Sequence, residues 1–346
     1  MPLGNLRRAS RLAAFALAAL ALCALPFTAR AQSKLIPITY LYVPVNDYAP
    51  LFVAKEKGYF EQLGLDVDLE PKQAQAESIQ LIAGGKVQAS SINWGSSTFN
   101  ALSGGAPITV VGEGEAMPTS GKMPARFLMS KSAYDASHGN PAMLKGKRVA
   151  LIGAGGYATY LTSLALQKSG LAVGDVDLTY IPAPNIGLAL ENGSIDAAQV
   201  FEPFATQYEV DGIAKTVAPD AGAGSEVTAI AVNTDFLKQN EDAVVRLVAG
   251  YIKATRFLNA GGWKDPVARD EILKYTKTDP KIFAQIGYPR YAADGAVNMP
   301  SVRAQEAFFK SIAMVKYSGE LDLKPYYRRD IAQKALKLLA SLPAKY

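Results

Sequence analysis

The chain is nearly without cysteine and histidine, with one of each in 346 residues, Cys23 and His138. A thiolate or multi-imidazole zinc site needs several such ligands, and a Ser-His-Asp triad needs a positioned histidine. His138 sits in the turn-rich stretch SAYDASHGNPAM and reads as a solvated loop residue. Cys23 falls in an N-terminal apolar run, so everything after it lacks a thiol, a disulfide and a thiolate metal site. A chain this long builds a sufficient core without disulfides. Surplus charge is also scarce. The formal net charge is +5, but Arg7, Arg8, Arg11 and Arg30 supply four of those charges within residues 1–31, which hold no acid. From residue 32 onward 32 basic groups face 31 acidic ones, which leaves no basic footprint for nucleic acid. These absences point to binding rather than catalysis, although carboxylate enzymes need neither thiol nor imidazole.

What is present begins with export. MPLGNLRRASR is a basic n-region, LAAFALAALALCALPF an apolar h-region, and Ala29-Arg30-Ala31 a small-x-small cleavage site. Together they predict a signal peptide over 1–31, cleaved before Gln32. The apolar run holds Pro26 and is short for a membrane span. Leu22 is too bulky for a lipid-anchor site at Cys23.

Strand and helix patterns alternate downstream, as in βαβ units with a parallel sheet. Strands are expected at 36–43, 65–69, 87–94 and 108–112, with helices at 50–63, 77–83 and from Ser96. The order then recurs: strands at 147–152, 177–181 and 197–201, with helices at 157–169, at 186–191 and from Pro203. Asp66-Val67-Asp68-Leu69 is repeated as Asp175-Val176-Asp177-Leu178. Gly85-Lys86-Val87-Gln88-Ala89 resembles Gly193-Ser194-Ile195-Asp196-Ala197, at almost the same offset. Two related βαβαβ modules are the reading. Residues 113–125 (EGEAMPTSGKMPA) look like a crossing segment, 218–224 a loop and 227–232 a strand; the C-terminal third is helical, at 242–258, 267–275, 304–313 and 330–342. The expected division is a first lobe of 32–122 and 233–346 and a second of 123–232, hinged by two crossings.

APLFVAKEKGYFEQLGLDVDL, LIAGGKVQASSINWGSS, LKGKRVALIGAGGYATYLTSLALQKSGL and NGSIDAAQVFEPF resemble periplasmic solute-binding proteins of the sulfonate, taurine and nitrate type and their thiamine-pyrimidine-precursor-binding relatives. The resemblance spans roughly 36–260 and implies an α/β, two-lobed periplasmic binding protein fold of type II. Each lobe would be a mostly parallel sheet flanked by helices. It also implies a small-molecule ligand, an ABC permease with its ATPase as partner, a periplasmic location and no enzymatic activity. No cofactor, metal or nucleic acid is expected, and the chain is expected to act as a monomer.

In open α/β sheets ligands lie beyond the carboxyl ends of the strands, where helix starts offer unpaired N–H groups. Four junctions follow. In the first, Tyr42 and Tyr48 could form an aromatic wall and Asn46 or Asp47 bind ligand; Asp47 as a helix cap is the plainer role. In the second, Trp94 offers an apolar face with an N–H, Gly95 a close backbone approach, and Ser96 or Ser97 a hydroxyl; a capped helix on a core tryptophan is the alternative. The third, Gly153-Ala154-Gly155-Gly156-Tyr157-Ala158-Thr159, fits the dinucleotide pattern G-x-G-x-x-A. NAD binding is disfavoured because Ile181-Pro182-Ala183-Pro184 stands where the ribose-binding acid belongs and the chain is exported. Gly155, Gly156, Tyr157 and Thr159 are instead candidate contacts. In the fourth, Glu202 is Trp94's counterpart by the offset that relates Gly193 to Gly85. It could face Trp94 across a cleft, or serve only as an acid at a Pro-started helix. Asn185 is a weaker candidate. Glu113 and Glu115 evoke the paired acids of a glycosidase, but their spacing in a Gly-rich segment carries no geometry. The reading is a solute-binding protein for a small organic anion such as a sulfonate. The alternatives are a pyrimidine-like nitrogen heterocycle held by Glu202, or a ligand-sensing module of the same fold.

Overall fold

The computed structural model describes residues 34–72 and 75–343, so the expected signal peptide lies outside the described residues. Two five-stranded mixed sheets organise the chain. The strands are β1 (Ile36–Tyr42), β2 (Leu65–Pro71), β3 (Ala89–Asn93), β4 (Ile108–Ala116), β5 (Ala125–Ser130), β6 (Arg148–Leu151), β7 (Asp177–Tyr180), β8 (Ala197–Phe201), β9 (Ala214–Val217) and β10 (Glu226–Asn233). The first sheet has the order β2-β1-β3-β10-β4 and the second β7-β6-β8-β5-β9. In each, one strand runs against the other four: β10 between β3 and β4, and β5 between β8 and β9.

The two sheets are the same design used twice. Thr39 pairs with Asp68 and Arg148 with Asp177, and the step from Thr39 to Arg148 equals that from Asp68 to Asp177. The starts of β3 and β8, Ala89 and Ala197, keep that step to within a single position. The first sheet is completed by β10, which arrives after the second crossing, whereas the second sheet is built wholly from the segment between the crossings, β5 to β9.

Three expectations need correction. The strand expected at 227–232 closes the first sheet, so the chain returns before Glu226 rather than after 232. Its eight residues are all buried because it lies between two neighbours. The segment 113–125 is not all crossing: β4 runs to Ala116, buried along its whole length, and β5 begins at Ala125. Gly114 explains the disguise. A Cβ there would stand 2.3 Å from Thr228 Oγ1, at a break in the β4–β10 register, so the strand takes on the glycine of a loop. The helix expected at 50–63 is two, Ala49–Glu56 and Tyr59–Gln62, parted at Gly58. Sequence reading also passed over β9 and the helix Lys131–Ser137, which His138 ends with a positive φ.

Apolar packing forms a core within each lobe and one cluster that spans both. Helix Glu241–Asn259 lays Val244, Leu247, Val248, Tyr251 and Ile252 on the first sheet, and its first turn carries Glu241 and Asp242 where the dipole favours acids. The crossings run side by side: Met117 N donates to Ser225 O (2.8 Å) and Gly224 N to Pro118 O (3.1 Å). Among the described residues no helix is long and apolar enough to cross a membrane.

Candidate functional site

A cavity of about 340 Å³ opens between the two sheets. Its walls come from the carboxyl ends of the forward strands: Val43 and Val45 after β1, Asn93 and Ser97 at and after β3, 152–154 and 156–158 after β6, and Phe201 and Phe204 at and after β8. β10, running the other way, offers its start, Val227 and Thr228. The cavity therefore lies at strand ends, with both sheets contributing.

Two acids stand out on this wall. Asp47 is 4% exposed and Glu115 3%, and the Asp47 Oδ1 and Glu115 Oε2 atoms have no hydrogen-bond partner. Asn93 Oδ1, on the same wall, is a third unpartnered acceptor. Buried polar atoms are nearly always paired, so three orphan acceptors on one cavity mark a place for donors. Among the described residues, no Lys, Arg or His lines it. Burial pushes the Asp47 carboxyl well above the usual range, and the charge of Glu202 adds to this. Burial likewise raises Glu115, reinforced by Asp47, Glu113 and Glu226. The remaining surface is apolar and aromatic, with Val43, Val45, Ile152, Phe201 and Phe204 beside the rings of Tyr48 and Tyr157. A wider, open depression of about 560 Å³ lies by Tyr160, Lys168, Asp220 and Ser301, but the Lys168–Asp220 ion pair (2.6 Å) already joins its charges.

Of the residues singled out from sequence, Asp47, Tyr48, Ser97, Gly156 and Tyr157 line the cavity. Asp47 caps no helix: the helix Ala49–Glu56 starts without a side-chain cap. The others are used elsewhere. Tyr42 packs into the first core, edge-on to Phe52 (5.1 Å). Asn46 Oδ1 accepts from Thr278 Oγ1 (3.4 Å). Trp94 is buried with Phe99 and is a core residue, its Nε1 unpartnered. Thr159 is buried off the cavity, and Asn185 is exposed.

Gly95, Ser96 and Gly155 meet one another instead of a ligand. Ser96 N donates to Gly155 O (2.7 Å), and Ser96 Oγ to the same oxygen (3.2 Å). A Cβ on Gly95 would lie 2.6 Å from that oxygen. The close approach foreseen at Gly95 is real, but the approaching group is the opposite lobe.

Glu202 is fully buried and does not line the cavity. Its Oε2 accepts from Thr206 N (2.9 Å), and its Oε1 from Thr206 Oγ1 (2.8 Å) and Gly287 N (2.9 Å), with Arg126 Nη2 at 3.0 Å. Both its oxygens are engaged by the protein, and Trp94 is not among its partners. Burial raises its pKa, an effect that Arg126 opposes. Sequence reasoning passed over Glu115 as a ligand group because glycine neighbours made its strand look like a loop. Phe201 and Phe204 carried no signal beyond flanking Glu202.

The NMT1-like family model matches residues 32–275. YtlA of Bacillus subtilis (strain 168), a candidate binding protein, is 27% identical over 297 residues, covering 83% of this chain and 86% of its own. Among solved structures, the nitrate-binding protein NrtA of Synechocystis PCC 6803 is similar with a TM-score of 0.70 at 15% identity, over 90% of this chain and 91% of that one. The alkanesulfonate-binding protein SsuA of Xanthomonas axonopodis pv. citri, bound to MOPS, gives 0.66 at 19% identity, over 86% and 98%. The desulfurization enzyme DszB gives 0.61 at 16% identity, over 88% and 99%. These structures share the two-lobed periplasmic binding protein fold with this chain.

Proposed function

The chain belongs to the NMT1-like family, and from that premise we propose that it is the extracytoplasmic solute-binding component of an ABC-type importer. It captures a small molecule in the cavity between its lobes and presents it to a membrane permease driven by an ATPase. The signal-like segment 1–31 supports delivery to the periplasm.

The ligand class rests on one observation. Asp47 and Glu115, each with an unpartnered oxygen, line a cavity that has no cationic residue among those described. A sulfonate or nitrate offers only acceptors and could be met by these two carboxyls only in their protonated, donor form. A nitrogen heterocycle offers N–H donors to the acids and a flat body to Phe201, Phe204 and Tyr48. The heterocycle reading is therefore preferred to the organic anion, with Asp47 and Glu115 in the role first given to Glu202. A thermal-shift screen tests it, since a ligand of the folded state raises the unfolding temperature. 4-Aminopyrimidine and its amino-substituted relatives should stabilise the protein and be recovered unchanged. Stabilisation by taurine, alkanesulfonates or nitrate, with none by the heterocycles, would reverse the assignment.

A further inference from the structure

The inference rests on that cavity reading and concerns the charge of the ligand. Asp47 and Glu115 arrive from separate elements, a turn after β1 and the end of β4. Each is more than nine-tenths buried, lines the same cavity and keeps one oxygen without a hydrogen-bond partner. The charged groups around them are mostly acids. Glu113 precedes Glu115 by two residues on β4, Glu226 starts the neighbouring β10, and Glu202 ends the β8 side. The hydroxyls of Tyr48, Tyr157, Tyr251 and Tyr291 are the other titratable groups facing them, all buried in their neutral form. The cations are committed elsewhere: Arg290 to Glu113 (3.1 Å) and Arg126 to Glu202 and Glu209. Two buried carboxylates without a counter-ion cannot both stay ionised. Bound protons resolve this in the free protein; a cationic ligand can resolve it in their place.

We propose that the cavity takes its ligand as a cation, a protonated amine or amidine-like ring edge, in exchange for one proton held by the Asp47–Glu115 pair. On capture, the carboxyl O–H bond breaks, the proton passes to solvent, and the carboxylate left behind accepts N⁺–H bonds from the ligand. The net charge of the buried site is unchanged, which is why a site without lysine or arginine tolerates two acids. The upward pKa directions of both groups agree with this exchange.

Benzamidine (a fixed cation at the pH values used), benzamide (its neutral analogue) and benzenesulfonate (an anion) are titrated into the exported chain by calorimetry between pH 5 and 8, in two buffers of different ionisation enthalpy. Benzamidine should bind about tenfold tighter per pH unit for each proton displaced, and the two buffers should report proton release. Asp47→Asn or Glu115→Gln should weaken benzamidine binding about tenfold or more and reduce the released protons, with native thermal unfolding as the check on folding. Benzamidine binding that is flat or falls with rising pH overturns the exchange, as does equal binding of benzamide; the cavity then remains a site for neutral ligands. Preferred binding of benzenesulfonate overturns the charge assignment. No binding of any probe at any pH overturns the cavity reading and this inference together.

Discussion

The backbone N–H of Ser96 and the carbonyl oxygen of Gly155 stand 2.7 Å apart, joining a helix start of one lobe to a glycine turn of the other. This bond uses a donor that the helix Ser96–Ser103 could otherwise have offered to an anion. The seam joins the lobes beside the cavity, which the neighbouring Ser97 and Gly156 line.

Closure depends on that seam being flush. Gly95→Ala should hold the lobes apart, because its Cβ would press on Gly155 O from 2.6 Å. Overpacking of this kind costs about 1–3 kcal/mol, so ligand affinity should drop about tenfold or more while each lobe stays folded. Small-angle scattering at saturating ligand should show a larger radius of gyration than wild type. Wild-type compaction with wild-type affinity would mean that the seam does not govern closure.

Glu202 should behave as a structural clasp. It anchors Arg126, Thr206 and Gly287 at once. Removing one partner of a buried ion pair leaves the other uncompensated and costs about 3–5 kcal/mol. Glu202→Ala should show this in urea unfolding, and Glu202→Gln, which keeps one acceptor, should lose less. A Glu202→Gln protein of wild-type stability that no longer binds amino-heterocycles would return Glu202 to the ligand.

Stability should fall as pH rises. Buried acids with raised folded-state pKa values bind protons that the unfolded chain releases near the ordinary carboxylate range. Burial pushes Glu113 up to about 7 and Glu226 up to about 9, and raises Asp47 and Glu115 as well. Their contribution is complete below the unfolded pKa and is lost as pH climbs through the folded values. The ligand-free protein should therefore melt higher at pH 5 than at pH 8. Glu115→Gln should flatten the slope and stabilise at pH 8 by about 1–3 kcal/mol, the cost of one unsatisfied buried group. A ligand-free protein more stable at pH 8 would contradict ionisable burial at this site.

Intrinsic fluorescence should report closure through Trp94. Its ring belongs to a core cluster that spans both lobes, with Tyr157, Tyr160 and Leu161. Trp263 stacks on Tyr288 (4.7 Å) within the first core, away from the seam. Ligand should change the emission in wild type and Trp263→Phe, and Trp94→Phe should bind with little signal. A signal carried by Trp263 alone would place the moving contact elsewhere.

The alternation of strands and helices, the two-module repeat and a cavity at the strand ends were all legible in the linear pattern. They follow from local periodicity and from turn residues such as Gly64, Gly85 and Gly193 that mark where elements stop. The same pattern could not say where a strand pairs. Glu226–Asn233 is apolar enough for either lobe, and only backbone pairing with β3 and β4 assigned it to the first. Nor could it tell which junction residues face the cavity. Asp47 and Glu202 are both acids beside helix starts, yet one keeps a free oxygen and the other spends both on Thr206, Gly287 and Arg126. Gly95 and Gly155 were conspicuous as small residues, but a missing side chain does not name what approaches it. Those distinctions rest on distances between groups far apart in sequence, which only the packed chain sets.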